Sequence, residues 1–214
     1  MAEGKESGGF FDKLYERYAK EYAMWFIAVA TDPGQIVERT REVRSEGRLG
    51  EYLMTVLTVS VFLGITIGAL IPDRPPIKDR AVVFVVVSLL WVFQSLLVHF
   101  VCRLFGGREE ATTSVSLMVQ DLAFVYVASN FLTLLVAWVA ATYQPVYDFL
   151  TKHLFFDGPG MVLFTFQFLL LLYLVPLTVS YAHGFRGVKW FVTALFAGCF
   201  ALFFGVPVFA MHSC

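Results

Sequence analysis

Long uncharged stretches occupy most of this 214-residue chain. Each reaches the roughly 20 predominantly apolar residues that an α-helix needs to cross the hydrocarbon core of a bilayer. The sequence therefore predicts an all-α integral membrane protein with five transmembrane helices. The stretches cover residues 52–72, 81–102, 122–147, 158–185 and 190–214.

The composition agrees with this prediction, because 58% of the residues are hydrophobic and only 15% are charged. Such a chain is too apolar for a soluble globule and suits a helix bundle surrounded by lipid. We expect a cytoplasmic and interfacial amphipathic segment over residues 1–51 and a five-helix transmembrane bundle over residues 52–214. The net charge of -1 and the lack of a basic patch interleaved with aromatic residues exclude nucleic acid as a partner.

The distribution of Lys and Arg predicts the orientation, because these residues prefer the cytoplasmic side of a membrane. If the five spans alternate in direction, twelve of the 16 basic residues fall on the side of the N-terminus and four on the other. We therefore expect a cytoplasmic N-terminus and an outside C-terminus. The cytoplasmic segment carries no long proline-rich or acidic extension, which favours a prokaryotic plasma membrane.

Aromatic residues recur at helical spacing before the first span, with charged residues between them. Two interpretations stay open. The helix lies in the lipid headgroup region, or its aromatic face packs on the cytoplasmic ends of the bundle or on a partner subunit. The aromatic residues chosen as candidates for partner binding are Phe10, Tyr15, Tyr18, Tyr22 and Trp25.

A second short helix is predicted over residues 34–46. Asp32 followed by Pro33 is a helix-start signal, and Gly47 can end the helix. Its charges alternate in sign, which favours a solvated face with local ion pairs, a docking surface being the alternative.

Three polar residues fall at membrane depth: Asp121 at the opening of the third span, Asn130 deeper in it, and Gln167 in the fourth. Buried polar groups in membranes often mark pathways or sites. We favour hydrogen bonds between helices for Asn130 and Gln167, worth about 1 kcal/mol each. Gly64 and Gly68 form a small-residue pair that predicts a helix contact, within one chain or between copies of a homo-oligomer.

Enzyme and cofactor signatures are absent from the sequence. The three cysteines lack the spacing of a zinc site or a disulfide framework, and no phosphate loop, nucleophile elbow or paired catalytic carboxylates occur. His99 and His183 come to similar depth in the predicted topology, so a bis-histidine haem is geometrically conceivable. Hydrogen-bonded structural histidines are the favoured interpretation.

The order of several motifs resembles the Yip family over residues 32–210. These motifs are DPxxxxxR at Asp32, Pro33 and Arg39, the pair Gly106 and Gly107, and HGFRG at residues 183–187. The family comprises small five-span membrane proteins whose eukaryotic members bind Rab GTPases. The resemblance implies a prokaryotic member with a cytoplasmic N-terminus and a role in organising membranes or partners, and it supplies no catalytic residues.

Together these features predict a non-catalytic scaffold or accessory subunit that recruits protein partners through its cytoplasmic face. Besides the aromatic residues, the candidate partner-binding residues are Gly106, Gly107, His183 and Arg186. The alternative is a small-solute or ion transporter or channel, formed by the bundle or its oligomer. Its path would be lined by the three intramembrane polar residues.

Overall fold

The computed structural model describes residues 18–70, 77–143, 145 and 158–187. Across these ranges the chain is helical and forms no strand, so the all-α prediction is confirmed for them. The fifth predicted span, together with Phe10 and Tyr15, lies outside the described residues. The six helices are α1 (Lys20–Thr31), α2 (Pro33–Ser45), α3 (Leu49–Ala69), α4 (Ile77–Leu104), α5 (Ala111–Thr142) and α6 (Gly158–His183).

The predicted start of α2 is confirmed. Asp32 is the N-cap, and its carboxylate accepts a hydrogen bond from the Gln35 backbone N–H at 3.2 Å, while Pro33 takes the first helical position. At the other end, Gly47 adopts a φ of 72°, a left-handed conformation that suits glycine. The chain thus turns sharply from α2 into α3.

The apolar face of α2 is buried, on the side of the helix away from the charged face with its predicted local ion pairs. Ile36, Val37, Thr40 and Val43 are each at most 2% exposed. They share a hydrophobic core with α1, α3, α5 and α6. Residues before the first predicted span therefore pack into the same core as the spans themselves.

The centre of the fold is α5, which contacts each of the other five helices. It begins at Ala111, eleven residues before the predicted start of the third span at Leu122. The prediction was wrong because Gln120 and Asp121 interrupt the apolar run in the sequence. The helix continues through both residues because neighbouring side chains form hydrogen bonds with them inside the bundle.

Within the described part of the chain, two helices are long and apolar enough to cross a membrane, over Leu49–Ile67 in α3 and Ala111–Val139 in α5. Shorter apolar helical stretches occupy Leu89–Leu104 in α4 and Leu169–His183 in α6. The outward faces of these helices carry large apolar side chains that are more than half exposed. Examples are Phe62, Phe93 and Phe131.

Candidate functional site

Polar side chains of α5 lie on two faces of the helix. Thr113, Ser116 and Gln120 form what we call the Gln120 face, which meets α1, α2 and α3. Ser114 and Asp121 belong to the Asp121 face, which meets α4 and α6. Residues seven apart on an α-helix are separated by about two turns and share a face, so Ser114 and Asp121 align with each other, as Thr113 and Gln120 do.

Gln120 is fully buried, and hydrogen bonds satisfy its amide completely. Its carbonyl oxygen accepts from Trp25 Nε1 at 3.0 Å and from the Tyr52 hydroxyl at 3.2 Å. Its amide nitrogen donates to Thr40 Oγ1 at 3.1 Å and to the Ser116 carbonyl at 3.3 Å. One side chain therefore joins α1, α2 and α3 to the central helix.

Asp121 lies next to Gln120 and is equally inaccessible, at 0% exposure. Its Oδ2 is 2.6 Å from the hydroxyl oxygen of Thr178 on α6. Its Oδ1 is buried and has no hydrogen-bond partner among the residues that the structure describes. The sequence places Asp121 at the opening of the third span, but α5 begins ten residues before it, so this carboxyl is in the interior.

The two histidines of the haem hypothesis meet on the Asp121 face. Their ring centroids are 5.5 Å apart. His99 Nδ1 is 3.1 Å and His183 Nε2 is 2.8 Å from the hydroxyl oxygen of Ser114. Because both rings direct a nitrogen at this hydroxyl, they do not face a common iron across an open slot, as a bis-histidine haem requires. The arrangement corresponds to hydrogen-bonded structural histidines.

Gly107 allows the loop after α4 to approach His183 closely. A Cβ at this position would meet His183 Nδ1 at 2.3 Å and the Cys102 carbonyl at 2.8 Å. No side chain fits there without displacing the ring or the backbone. The two short motifs at residues 106–107 and 183–187, which are distant in the sequence, are therefore in contact.

Arg41 and Arg44 of α2 hold this helix over the end of the bundle at which Gly107 meets His183. We call this the capped end. Arg41 donates to Glu109 through Nε at 2.9 Å, and to the Ala182 carbonyl at 2.9 Å. Arg44 donates to Thr113 Oγ1 at 2.6 Å and pairs with Glu110 at 2.9 Å. The α2 helix is thus tied to the loop before α5, to α5 itself and to the end of α6.

Glu109 is only 8% exposed within this clamp. Burial alone would raise the pKa of its carboxyl, but the hydrogen bond from Arg41 and the charges of Arg41 and Arg44 outweigh burial and lower that pKa. The carboxylate is therefore held in its charged form. Two further pairs, Arg39–Glu42 and Arg41–Glu38, are local to α2, as the alternating charges predicted.

The candidate partner-binding residues separate into buried and accessible groups. Tyr22, Trp25, Gly107 and His183 are buried inside the chain, so they serve internal packing and offer no surface to a partner. Among the candidates that the structure describes, Tyr18 is half-buried, and Gly106 and Arg186 are exposed. The sequence left two interpretations of the N-terminal helix open. Tyr22 and Trp25 agree with the one in which its aromatic face packs on the bundle.

The polar residues Asp121 and Asn130 do not face a common path. Asn130 donates to the Tyr126 carbonyl of its own helix at 2.7 Å, and Gln167 is half-buried. Nine residues separate Asp121 from Asn130, which is about two and a half helical turns. These two side chains therefore lie on opposite faces of α5.

Sequence reasoning missed the residues that organise the site: Gln120, Ser114, Thr178 and the pair of Arg41 with Glu109. Only one local signal was available. The apolar residues of α2 recur with helical spacing at Ile36, Val37 and Val43, and this spacing indicates a buried face. Most of the remaining contacts join residues more than 50 positions apart, and no local pattern specifies them.

The loops at the capped end carry two exposed arginines. Arg108 lies in the loop before α5 and Arg186 in the turn after α6. Neither forms an ion pair with another residue in the described part of the chain. Their guanidinium groups are open to solvent beside the clamp formed by Arg41 and Glu109.

The chain was compared with family profiles, characterised proteins and solved structures, and none of them matches. Membership of the Yip family remains a prediction that rests on the short motifs quoted above.

Proposed function

We propose that the protein is an integral membrane protein with five spans and a cytoplasmic N-terminus, in a prokaryotic plasma membrane. The inside-out distribution of polarity supports this proposal. Large apolar side chains such as Phe62, Phe93 and Phe131 face outward, whereas Gln94, Gln120 and Asp121 are buried. Lipid rather than water solvates such a surface at low cost. The capped end, where Arg41, Arg44, Arg103, Arg108 and Arg186 lie, would then face the cytoplasm.

The first helix supports an interfacial position. Tyr22 and Trp25 are buried against the bundle, while Met24 and Ile27 on its other side are each 61% exposed. A short helix that is apolar on both sides suits the boundary between protein and lipid. The packing and interfacial interpretations are then both satisfied, by opposite faces of α1.

We further propose that the protein is a non-catalytic scaffold or accessory subunit, which agrees with the resemblance to the Yip family. The observation that supports this proposal is the packing of α2 and two loops at the capped end. The clamp on α2 and the close packing of Gly107 against His183 hold two loops in place, and each loop presents one exposed arginine. A guanidinium group recognises carboxylates with paired hydrogen bonds. We therefore expect a protein partner with an acidic surface.

Among the described residues, the contact of Ser114 with His183 is an arrangement that could suggest catalysis. A serine nucleophile needs an accessible hydroxyl and a histidine base that a third group orients. Ser114 is only 1% exposed, and His183 Nδ1 has no hydrogen-bond partner among the described residues. The pair lacks the access and the orientation that acyl transfer requires, which supports a structural role.

Affinity purification from native membranes in a mild detergent tests the proposal. We expect a stoichiometric protein partner with the wild-type chain, and loss of that partner when Arg108 and Arg186 are both replaced by Ala. Arg48→Ala is the matched control, because Arg48 is exposed but already pairs with Glu46 and Glu51. A homo-oligomer that purifies without any partner would contradict the scaffold proposal. Loss of the partner in all variants would contradict the role of the two arginines.

A further inference from the structure

Asp121 is chemically isolated within the bundle. Its helix contains no other Asp, Glu, Lys, Arg or His. The same residue types are absent from residues 52–69 of α3, 81–98 of α4 and 158–182 of α6. Sequence alone thus shows that no cation on these segments can neutralise this carboxyl.

The charged and titratable groups nearest along the packed helices lie toward the helix ends. On α4, His99 and Arg103 belong to the capped end, and Lys78, Asp79 and Arg80 occupy the opposite end. On α6, His183 is five residues beyond Thr178, more than one helical turn away. Of these groups, His99 and His183 are both engaged by Ser114.

The hydrogen bonds of Thr178 favour a proton on Asp121. The Thr178 hydroxyl oxygen is 2.5 Å from the Leu174 carbonyl oxygen and 2.6 Å from Asp121 Oδ2. A carbonyl oxygen and an ionised carboxylate are both acceptors only, and a hydroxyl group has one proton to donate. One proton shared between two such short contacts satisfies neither acceptor fully. A protonated carboxyl group supplies a second proton.

We infer that Asp121 is an intramembrane proton-binding site, occupied at neutral pH, in which the carboxylic acid donates from Oδ2 to Thr178 Oγ1. Thr178 in turn donates to the Leu174 carbonyl oxygen. The unpartnered Oδ1 agrees with this assignment, since an uncharged acid oxygen costs far less to bury without a donor than a carboxylate oxygen does. The inference is independent of the proposed scaffold function.

Loss of this proton has a defined structural consequence. The carboxylate would require the proton of Thr178, and Thr178 would then release the Leu174 carbonyl. Both residues lie within one turn of Pro176, where the proline ring already removes one backbone hydrogen bond from α6. Ionisation of Asp121 would therefore act on the part of α6 that is least constrained by its own backbone.

Infrared spectroscopy of the purified protein tests the inference directly. At neutral pH we expect a carbonyl-stretching band of a protonated carboxylic acid that is lost in Asp121→Asn and retained in Glu110→Gln, whose carboxylate is exposed. In Thr178→Val the same band should shift, because the acid loses the acceptor of its proton. This shift also identifies the band if Asp121→Asn does not fold.

Two results would overturn the inference. If the spectrum of folded Asp121→Asn retains every protonated-carboxyl band of the wild type, Asp121 is ionised and the proton assignment is wrong. If the band disappears in Asp121→Asn but stays unshifted in Thr178→Val, the acid does not donate to Thr178, and the proposed chain of donors fails.

Discussion

The two faces of α5 carry buried polar groups at the same depth but satisfy them differently. On the Gln120 face, four hydrogen bonds use every donor and acceptor site that the amide offers in this arrangement. On the Asp121 face, Asp121 Oδ1 and His183 Nδ1 have no partner among the described residues. Adjacent residues at equal burial thus belong to a complete network and an incomplete one.

The difference separates a structural role from a chemical one. A complete network inside a low-dielectric core fixes the positions of its members, because any rearrangement leaves a group unpaired. An incomplete network retains sites at which a proton or a small ligand can be gained or lost. We therefore assign the docking of α1–α3 to the Gln120 face, and any response to solution conditions within the bundle to the Asp121 face.

The largest effect is expected from Gln120→Ala. The substitution leaves Trp25 Nε1 and the Tyr52 hydroxyl without their partner, and each buried group left unpaired costs about 1–3 kcal/mol. We expect the free energy of unfolding to fall by roughly 3 kcal/mol or more. Thermal unfolding in a mild detergent, followed by circular dichroism, measures this effect.

Gln167→Ala is the matched control for that experiment, because Gln167 is a half-buried glutamine of α6. We expect it to cost no more than about 1 kcal/mol. Equal stability of the two variants would mean that the Gln120 network does not hold the helices together. The structural role assigned to the Gln120 face would then be wrong.

A smaller but still clear effect is expected from Gly107→Ala on the side of the Asp121 face. The added Cβ meets both His183 Nδ1 and the Cys102 carbonyl at distances below van der Waals contact. Overpacking of this kind costs about 1–3 kcal/mol. The thermal midpoint should fall in Gly107→Ala and stay the same or rise in Gly50→Ala, where nothing lies within 4 Å of the added atom. A fall of equal size in both variants would show that the contact with His183 is not the cause.

The sequence allowed the helical class and the start of α2 to be predicted because both depend on local signals. The length of an apolar run, and the pair Asp32–Pro33, act within a few residues. The burial of Trp25 is different, because its hydrogen-bond partner Gln120 is 95 residues away. No property of residues 20–31 specifies that partner.

The same argument explains the wrong start of α5 and the missed clamp. A polar pair in an apolar run resembles a helix boundary until its partners are known, and here those partners come from α1, α2, α3 and α6. Likewise, alternating charges on α2 predict local ion pairs. They give no sign that Arg41 and Arg44 also reach Glu109 and Glu110 across the fold.

The third prediction concerns pH at the capped end, where both faces of α5 terminate. Glu109→Gln should cost about 1 kcal/mol at neutral pH, a value reduced because Arg41 is partly exposed and screened by solvent. The folded-state pKa of Glu109 lies below its ordinary value of 4.5. Its contribution is therefore fully present above that ordinary value and disappears as the pH falls through the lower, folded-state pKa.

Thermal midpoints of the wild type and Glu109→Gln, measured from neutral pH down to about pH 3, check this sign. The thermal midpoint of Glu109→Gln should lie below that of the wild type at neutral pH, and the two midpoints should converge in the acidic range. A difference that grows as the pH falls would contradict the charged state of Glu109, and with it the clamp on α2.

The smallest effect on stability is expected from Asp121→Asn. Comparison of this variant with Gln120→Glu is the sharpest test of the difference between the two faces of α5. If Asp121 is a neutral acid, the amide of Asn replaces one donor by another toward Thr178, so stability should change by less than about 0.5 kcal/mol. Gln120→Glu makes the reverse exchange, because a carboxyl group replaces an amide of equal size.

This variant removes the donor to Thr40 and places an acceptor against the Ser116 carbonyl, so we expect a loss of stability close to that of Gln120→Ala. Thermal unfolding of the two variants at neutral pH compares them directly. Equal losses would mean that Asp121 is a charged member of a complete network, and the two faces of α5 would then be alike.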